Sequence, residues 1–176
     1  MKSNIALIGF MGTGKTTVGQ VLATRLHRKL IEVDAIIAKM AGKPIPDIFR
    51  DNGEIYFREL ETKAIKKAAA REKQVIACGG GVVLNTINID RLRETGVVIN
   101  LTASLEIILK RIVKDGENRP LISVNWPPER IKELMKFRRP FYDRAADFVV
   151  NTSKLNVETV ADKIIDRLKN DESFNF

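Results

Sequence analysis

The stretch "GFMGTGKTTVG", residues 9–19, decides the fold. Gly9, Gly14, Lys15 and Thr16 fill every fixed place of the pattern G-x-x-x-x-G-K-[ST], in which backbone amides surround phosphate groups. The apolar run "NIALIGF" leads into it as a buried parallel strand would, and the apolar side chains that follow recur near a 3.6-residue period. Strand, loop and helix in this order predict a phosphate loop (Gly9 to Thr16) at a helix N-terminus, where anions bind.

The phosphate loop predicts a polyphosphate ligand bound together with a divalent cation. Lys15 would bring a mobile positive charge to the terminal phosphates, and the Thr16 hydroxyl is placed to hold Mg²⁺. A glycine turn capped by a threonine is the alternative, but the flanking strand and helix argue against it. The remaining residues of the loop predicted to contact the phosphates are Gly12, Thr13, Gly14 and Thr17.

The composition indicates one globular domain that spans residues 1–176. The chain is 44% hydrophobic and 30% charged, and no repeat, low-complexity tract or serine-rich linker divides it. Its net charge of +8 comes from scattered lysines and arginines, and its aromatic residues are few. This pattern argues against a nucleic-acid partner and is consistent with small anionic ligands.

The sequence contains no sign of export or membrane insertion. The start "MKSNIALIGF" has too short an apolar run for a signal peptide, and no apolar stretch approaches a membrane span, so we expect a cytoplasmic protein without membrane contact. Cys78 can form no internal disulfide, and His27, as the only histidine, can supply neither a metal cluster nor a histidine-based triad. The oligomeric state is not specified, and a monomer is the expectation.

Short β-like runs alternate with helical patterns along the chain. This alternation predicts a three-layer α/β/α fold, with a five-stranded parallel sheet covered by helices on both faces. The predicted strands are "IALIGF", "KLIEV" (29–33), "QVIAC" (74–78), "VVINL" (97–101) and "DFVVN" (147–151).

Two stretches interrupt the alternation. Residues 114–128 carry prolines, a glycine and asparagines, the composition of a long surface loop, and are predicted to form a lid. The polar tail, residues 170–176, is expected to fray after a last helix from about Val157 to Leu168.

Acceptor groups should project from the carboxyl ends of strands near the phosphate loop, where open α/β sheets bind ligands. Asp34 follows the second predicted strand and could take a proton from an attacking hydroxyl or orient it, while Glu32 points to the same side of an extended segment. Capping of the next helix is the alternative role of Asp34. The third strand ends without an aspartate, so Glu32, Asp34 or water must assist the metal.

A glycine triplet and separate arginines complete the candidates. Three consecutive glycines would let a ligand lie against backbone amides, although a flexible turn is the alternative. Arg58 and Glu61 share one helical face, so that the carboxylate could hold the guanidinium in a fixed direction. The triplet is Gly79, Gly80 and Gly81.

Arg138 and Arg139 precede Pro140, which is expected to end or kink a helix. Arginines from distant segments suit an acceptor that carries a carboxylate. Taken singly, each arginine is more typical of an exposed surface charge.

Six motifs occur in one order along the chain: "GFMGTGKTT", "VDAII", "FRELE", "GGGVV", "NRPL" and "RRPFYDRAAD". Many families share the first, but the set resembles the shikimate kinases across nearly the whole chain. The resemblance implies a P-loop kinase fold with a lid. It also implies a Mg²⁺-dependent enzyme that transfers the γ-phosphate of ATP to the 3-hydroxyl of shikimate, on the route to chorismate and the aromatic amino acids.

The resemblance assigns the catalytic residues and part of the acceptor site. Lys15 acts on the phosphates, Asp34 binds the reacting hydroxyl, and Arg119 of "NRPL" reaches the transferring phosphate on lid closure. Arg58 of "FRELE" holds the shikimate carboxylate, with Glu61 as its orienting partner.

The resemblance also assigns the remaining pocket residues. Arg138, rather than Arg139, is the second carboxylate arginine by the spacing R-x-P-x-Y, and Arg111 in "LKRIV" stacks on adenine. The glycines that line the shikimate pocket are Gly79, Gly80 and Gly81.

Two positions depart from the family pattern. Glu32 stands where the family usually has aspartate, and its longer side chain could alter a water-mediated contact with Mg²⁺. The segment "NTSKLNVET" lacks the proline expected against the adenine ring. Other readings are a gluconate or nucleoside-monophosphate kinase, which would not need the "FRELE" arginine with the glycine triplet, or a nucleotide-binding module without catalysis.

Overall fold

In the computed structural model of the protein, residues 1–114 and 127–176 are described. All strand pairs of the central sheet are parallel, in the order β2-β3-β1-β4-β5, so the strand that leads into the phosphate loop lies at the centre. The predicted five-stranded parallel sheet is confirmed. Its strands are β1 (Asn4–Ile8), β2 (Lys29–Glu32), β3 (Gln74–Ala77), β4 (Gly96–Thr102) and β5 (Phe148–Asn151).

Helices connect the strands and cover both faces of the sheet. None of the helices in the described ranges is long and apolar enough to cross a membrane. The helices are α1 (Lys15–Arg25), α2 (Val33–Ala41), α3 (Ile45–Ala69), α4 (Thr86–Thr95), α5 (Leu105–Lys114), α6 (Pro128–Ala145) and α7 (Val157–Lys169), with one 3₁₀ turn at Val82–Leu84.

Alternate residues of β1 pack into two separate cores. Ile5 and Leu7 lie in the core covered by α1 and α7, whereas Ala6 and Ile8 lie in the core covered by α2 to α6. All four side chains are fully buried. The two cores fix β1 from both faces, and the chain leaves its carboxyl end as the phosphate loop.

Two local expectations differ from the structure. Helix α6 does not end before Pro140 but continues to Ala145. Proline removes one backbone donor from a helix, and here buried Tyr142 and Ala145 hold the following turn against the core.

The tail, expected to fray, lies against the amino ends of the strands. Lys2 pairs with Phe174, donating its amide to the carbonyl of Ser173 at 2.9 Å and accepting from the amide of Asn175 at 2.7 Å. Phe174 is buried, and the guanidinium of Arg28 lies over its ring. The buried Phe174 ring, against which the ring of Phe176 packs edge-on, fastens a segment whose other residues are polar. The predicted lid falls almost entirely outside the described residues.

Candidate active site

The phosphate loop has the conformation that its glycines allow. Gly9, Gly12 and Gly14 have φ values of 143°, 78° and 94°, a region that side chains with a Cβ rarely adopt. A Cβ on Gly9 would also overlap the carbonyl oxygen of Leu101 on β4. Thr13 donates its hydroxyl to the carbonyl of Phe10 at 2.8 Å, which closes the turn before α1 begins.

Two side chains of the loop carry its polar chemistry. Lys15 Nζ donates to the carbonyl oxygens of Gly9 at 2.8 Å and Phe10 at 3.0 Å, so the ammonium group lies over the loop. The hydroxyl of Thr16 donates to Glu32 Oε1 at 2.9 Å. This bond brings the predicted metal-binding hydroxyl and the carboxylate at the end of β2 into direct contact.

A cavity of about 680 Å³ opens beside the loop at the carboxyl ends of β1, β2 and β3. That volume suits a small-molecule site. The cavity brings together nearly all the described residues predicted for phosphate, acceptor and metal contacts. They are Gly12, Gly14, Lys15, Thr16, Thr17, Glu32, Asp34, Arg58, Gly79, Gly80, Gly81 and Arg138.

Asp34 enters this cleft from the first turn of α2. The helix begins at Val33 with Glu32, not Asp34, at its N-cap position, and no side-chain hydrogen bond caps it, so capping does not explain Asp34. Burial raises the pKa of the Asp34 carboxyl above its ordinary value, with the charge of Glu32 acting in the same direction and those of Lys15 and Arg58 opposing it. A carboxylate with a raised pKa is a better proton acceptor near neutral pH than one with the ordinary pKa.

Arg58 reaches the cleft from α3 and is held by two carboxylates. Its Nη1 donates to Glu61 Oε2 at 2.8 Å, and its Nη2 donates to Glu54 Oε1 at 3.0 Å. Glu61 is almost fully buried, and burial raises the pKa of its carboxyl despite the opposing charge of Arg58. The predicted pairing of Arg58 with Glu61 is present, and Glu54 is a partner that the sequence reading missed.

The glycine triplet makes room for these side chains. A Cβ on Gly79 would lie 3.0 Å from Asp34 Oδ1, and a Cβ on Gly81 would overlap the guanidinium of Arg58. The triplet is therefore more than a flexible turn, because it lets an acid and an arginine approach the backbone closely.

Arg138 and Arg139 are placed differently by α6. Arg138 lies in the cleft wall, with its guanidinium 6.0 Å from the ring centre of Phe10. Arg139 is exposed and pairs only loosely with Asp143, at 3.6 Å. Of the two arginines, only Arg138 can meet a ligand in the cleft.

A second cavity of about 270 Å³ lies on the other side of the phosphate loop and shares Gly12, Gly14 and Thr17 with the first. Arg111 on α5 lines it and donates to the carbonyl of Gly12 at 2.9 Å and to Thr152 Oγ1 at 3.0 Å. Where the sequence lacks the expected proline, apolar side chains complete the wall. These are Leu155, Val157 and Val160.

One predicted site residue lies outside the described residues, and some contacts within the site were not predicted from the sequence. Arg119 falls outside the described residues. The sequence reading used Tyr142 only as the last position of the R-x-P-x-Y spacing and predicted no contact for it, whereas its hydroxyl donates to the carbonyl of Gly80 at 2.5 Å. The sequence reading overlooked Glu54, although the i, i+4 spacing to Arg58 was a signal for it. Thr152 carried no sequence signal, because a threonine at a strand end is common.

The fold and the two cavities define a P-loop phosphotransferase in which one loop serves a nucleotide site and an acid- and arginine-lined acceptor site. The shikimate kinase family model matches residues 11–169. The chain belongs to the shikimate kinase family, and as such it is an ATP-dependent phosphotransferase that acts on a hydroxyl group.

Individual relatives are similar over nearly their whole length. A shikimate kinase of Caldanaerobacter subterraneus is 50% identical over 92% of this chain and 94% of its own. One of Thermodesulfovibrio yellowstonii is 48% identical over 95% and 97% of the two chains. The structure of an Acinetobacter baumannii shikimate kinase in complex with shikimate superposes with a TM-score of 0.91, at 35% identity, over 98% of this chain and 96% of that one.

Proposed function

We propose that the two cavities carry out the family reaction, the transfer of the γ-phosphate of ATP to the 3-hydroxyl of shikimate, which yields shikimate 3-phosphate and ADP. The observation that carries this proposal is the acceptor cleft. It combines the carboxylate of Asp34, which is accessible from the cleft and has a raised pKa, with two guanidinium groups, Arg58 and Arg138, beside the lysine of the phosphate loop. Such a set suits an acceptor that has both a hydroxyl and a carboxylate.

The arginines bind the acceptor by its carboxylate, at the end of the molecule that is remote from the reacting hydroxyl. Arg58 is held by hydrogen bonds to Glu61 and Glu54, and the guanidinium of Arg138 lies over the ring of Phe10 at 6.0 Å. Two oriented guanidinium groups bind a carboxylate more firmly than two mobile ones, because less side-chain freedom is lost on binding. When the carboxylate at one end of a rigid ring is bound, the hydroxyl groups of the ring point in defined directions.

Asp34 accepts the hydroxyl proton at the other end of the acceptor. The acceptor oxygen forms a bond to the γ-phosphorus, the bond from that phosphorus to the bridging oxygen of ADP breaks, and the hydroxyl proton passes to Asp34. Lys15 offers positive charge to the phosphate oxygens during this transfer, since its ammonium lies at the loop on the cleft side. Little covalent chemistry is required of the protein beyond this positioning.

The residues present fit Mg²⁺. This ion prefers oxygen ligands and takes most of them from water and phosphate. Thr16 and Glu32 offer two oxygens in contact with each other. Residues 1–114 and 127–176 contain no group of three or more His, Cys, Asp or Glu side chains that could hold a metal. We propose that Thr16 holds the ion directly and Glu32 through a water. Bound Mg²⁺ supplies charge neutralisation to the β- and γ-phosphate oxygens.

The remaining assignments rest on the sequence motifs and the second cavity. Arg119, from "NRPL", would contact the transferring phosphate when the proposed lid of residues 114–128 closes. Arg111 would lie against adenine, with Leu155 opposite it in place of a proline. We further propose a cytoplasmic monomer, because ATP is the donor and both cavities are lined by residues of one chain.

A coupled ADP-release assay tests the acceptor. ATP and Mg²⁺ are supplied with shikimate, gluconate or a nucleoside monophosphate, each at the same concentration. We expect turnover with shikimate alone, because only it presents a ring carboxylate to Arg58 and Arg138 together with a free secondary hydroxyl. Equal or faster turnover with another acceptor would refute the proposed substrate, and ATP binding without turnover on any acceptor would indicate a module without catalysis.

A further inference from the structure

Tyr142 is a buried side chain that touches the acceptor site without lining it. It lies on α6 one turn after Arg138, is 5% exposed, and is absent from the walls of both cavities. Its hydroxyl donates to the carbonyl oxygen of Gly80 at 2.5 Å. The hydroxyl therefore joins the helix that carries Arg138 to the glycine triplet.

Gly80 is the point where three parts of the site meet. A Cβ placed on it would lie 3.5 Å from Arg138 Nη1 and 3.7 Å from both the carbonyl oxygen of Gly9 and the amide of Met11. The second acceptor arginine and the phosphate loop thus both pack against this one residue. The orientation of the Gly80 peptide affects what each of them contacts.

Arg138 has donor capacity to spare. Its Nε is buried and has no hydrogen-bond partner among the described residues. If the Gly80 carbonyl lost the Tyr142 hydroxyl, it would be a partly buried acceptor without that bond, and the guanidinium of Arg138, which packs against Gly80, is a strong donor close to it. A guanidinium drawn to Gly80 would be less available to a ligand carboxylate.

We propose that Tyr142 is a positioning residue for the acceptor: its hydroxyl occupies the Gly80 carbonyl and so keeps Arg138 directed at the carboxylate of the substrate. This inference rests on the proposed binding role of Arg138. Tyr142 acts through Gly80 and Arg138 and does not touch the reacting atoms.

The hydroxyl keeps its proton at every pH where the enzyme would work. Burial raises the pKa of Tyr142 to about 12, although the positive charge of Arg138 opposes the shift. The group therefore remains a donor to Gly80, and its effect on the acceptor should not vary across neutral pH.

The test uses Tyr142→Phe, with Tyr56→Phe as its matched control. Tyr56 is the other tyrosine of the chain, is partly exposed and lines neither cavity. Isothermal titration calorimetry and steady-state kinetics would give Kd and KM for shikimate and ATP. We expect Tyr142→Phe to raise both values for shikimate by roughly tenfold, as for a partly buried acceptor that loses its hydrogen bond, while those for ATP change by less than about twofold. Tyr56→Phe should leave both substrates unchanged.

Replacement of Tyr142 by 4-aminophenylalanine, which keeps an N–H donor, should restore the affinity for shikimate. An unchanged shikimate affinity in Tyr142→Phe would overturn the inference, as would equal losses for shikimate and ATP, since both would mean that the ring only packs. Arg138→Ala separates this failure from failure of the proposed function. If it weakens shikimate binding and Tyr142→Phe does not, only the inference about Tyr142 fails; if the parent does not bind shikimate, the proposed function fails.

A measurement on the parent protein does not depend on whether Tyr142→Phe folds. With tyrosine labelled with ¹³C at Cζ, the Tyr142 resonance should move when shikimate saturates the protein, and by more than the Tyr56 resonance does. A Tyr142 resonance that stays in place would overturn the inference.

Discussion

Lys15 makes its contacts with backbone oxygens of its own loop, within 3.0 Å of the carbonyls of Gly9 and Phe10. A ligand phosphate would compete with those carbonyls for the ammonium group. The lysine therefore belongs to the chemistry of the loop more than to the core, and its removal should affect turnover far more than folding.

Lys15→Met should lower kcat by on the order of 10²- to 10³-fold, because a charge that stabilises the transferring phosphoryl group is lost. Circular dichroism should be unchanged, and the melting temperature should stay close to that of the parent. Lys163→Met, on the exposed face of α7, is the matched control and should retain full activity. If Lys15→Met unfolds instead, the lysine is structural.

Asp34→Asn should separate chemistry from binding, because the amide keeps the size of the carboxylate but cannot take the proton. We expect kcat to fall by at least about 10²-fold with little change in Kd for shikimate. A large loss of affinity with normal kcat would move Asp34 from the reacting hydroxyl to the binding of the ring.

The pH dependence gives a second test of Asp34. Its pKa is raised by burial, so the residue becomes protonated, and unable to accept a proton, at a higher pH than an exposed aspartate. As the pH falls, kcat/KM of the parent should therefore drop before it reaches the ordinary aspartate range near 3.8. In Asp34→Asn this acid limb should be absent from the residual rate.

The sequence alone could not predict the orientation and the distant contacts of every single residue. Arg138 and Arg139 are adjacent and chemically identical, and residue type alone does not say which faces the cleft; the R-x-P-x-Y spacing favoured Arg138. The contact of Tyr142 with Gly80 escaped the sequence analysis because it joins residues 62 positions apart. Local spacing predicts partners within a helix, such as Arg58 and Glu61, but not contacts between distant segments.

At the scale of elements, α3 shows how a helix can deliver two charged side chains to one cleft. The chain bends at Gly53, where φ is 79°, and the following turns carry Glu54, Arg58 and Glu61. Because these three residues are spaced by four and three positions, they share one face. The ion pair with Arg58 at 2.8 Å offsets part of the cost of burying the Glu61 carboxylate.

Glu61→Gln should alter how stability depends on pH. Burial raises the folded-state pKa of Glu61, so the folded protein binds a proton that the unfolded chain has already lost above its ordinary value of 4.5. By linkage, this group lowers the free energy of unfolding as the pH rises from that value through the folded-state pKa. Urea titrations at several pH values should show that the parent loses more stability across this window than Glu61→Gln does.

Parallel slopes in the parent and Glu61→Gln would contradict the raised pKa. Glu59→Gln is the control, since Glu59 is exposed on the same helix and should not change the slope. The same variants test the acceptor site, because Glu61→Gln should weaken shikimate binding by loosening Arg58, whereas Glu59→Gln should not.

The elements themselves were predicted well where burial dictates the pattern. β1, β3 and β4 are buried on both faces, so each is a continuous apolar run that stands out in the sequence. The start of α2 was less clear, since "KLIEVDAII" does not show where extended backbone ends. The extended reading that placed Glu32 and Asp34 on one side was wrong for Asp34, which lies on the helix, although both side chains line the cleft.

The whole molecule divides into two ends with different roles. The carboxyl ends of the strands hold both cavities, whereas the amino ends are covered by the tail that packs on Lys2 and Arg28. The two ends have opposite requirements for their polar groups, and this difference explains the division. A cleft must leave polar groups unpaired for ligands, and the far end of the sheet is free to satisfy its polar groups within the chain.

Phe174→Ala should therefore destabilise the protein without disturbing catalysis. Phe174 is 7% exposed and packs in the core shared by α1 and α7, under the guanidinium of Arg28. Truncating a buried phenylalanine costs about 3 kcal/mol or more. Phe176→Ala, whose ring is 42% exposed, is the matched control and should cost less than about 1 kcal/mol. Denaturant titrations give these values.

Below the melting temperature, kcat and both KM values should match those of the parent, because the tail lies at the opposite end of the sheet from both cavities. A Phe174→Ala variant as stable as Phe176→Ala would show that the tail only rests on the surface, and a selective loss of substrate affinity would show that the two ends are coupled.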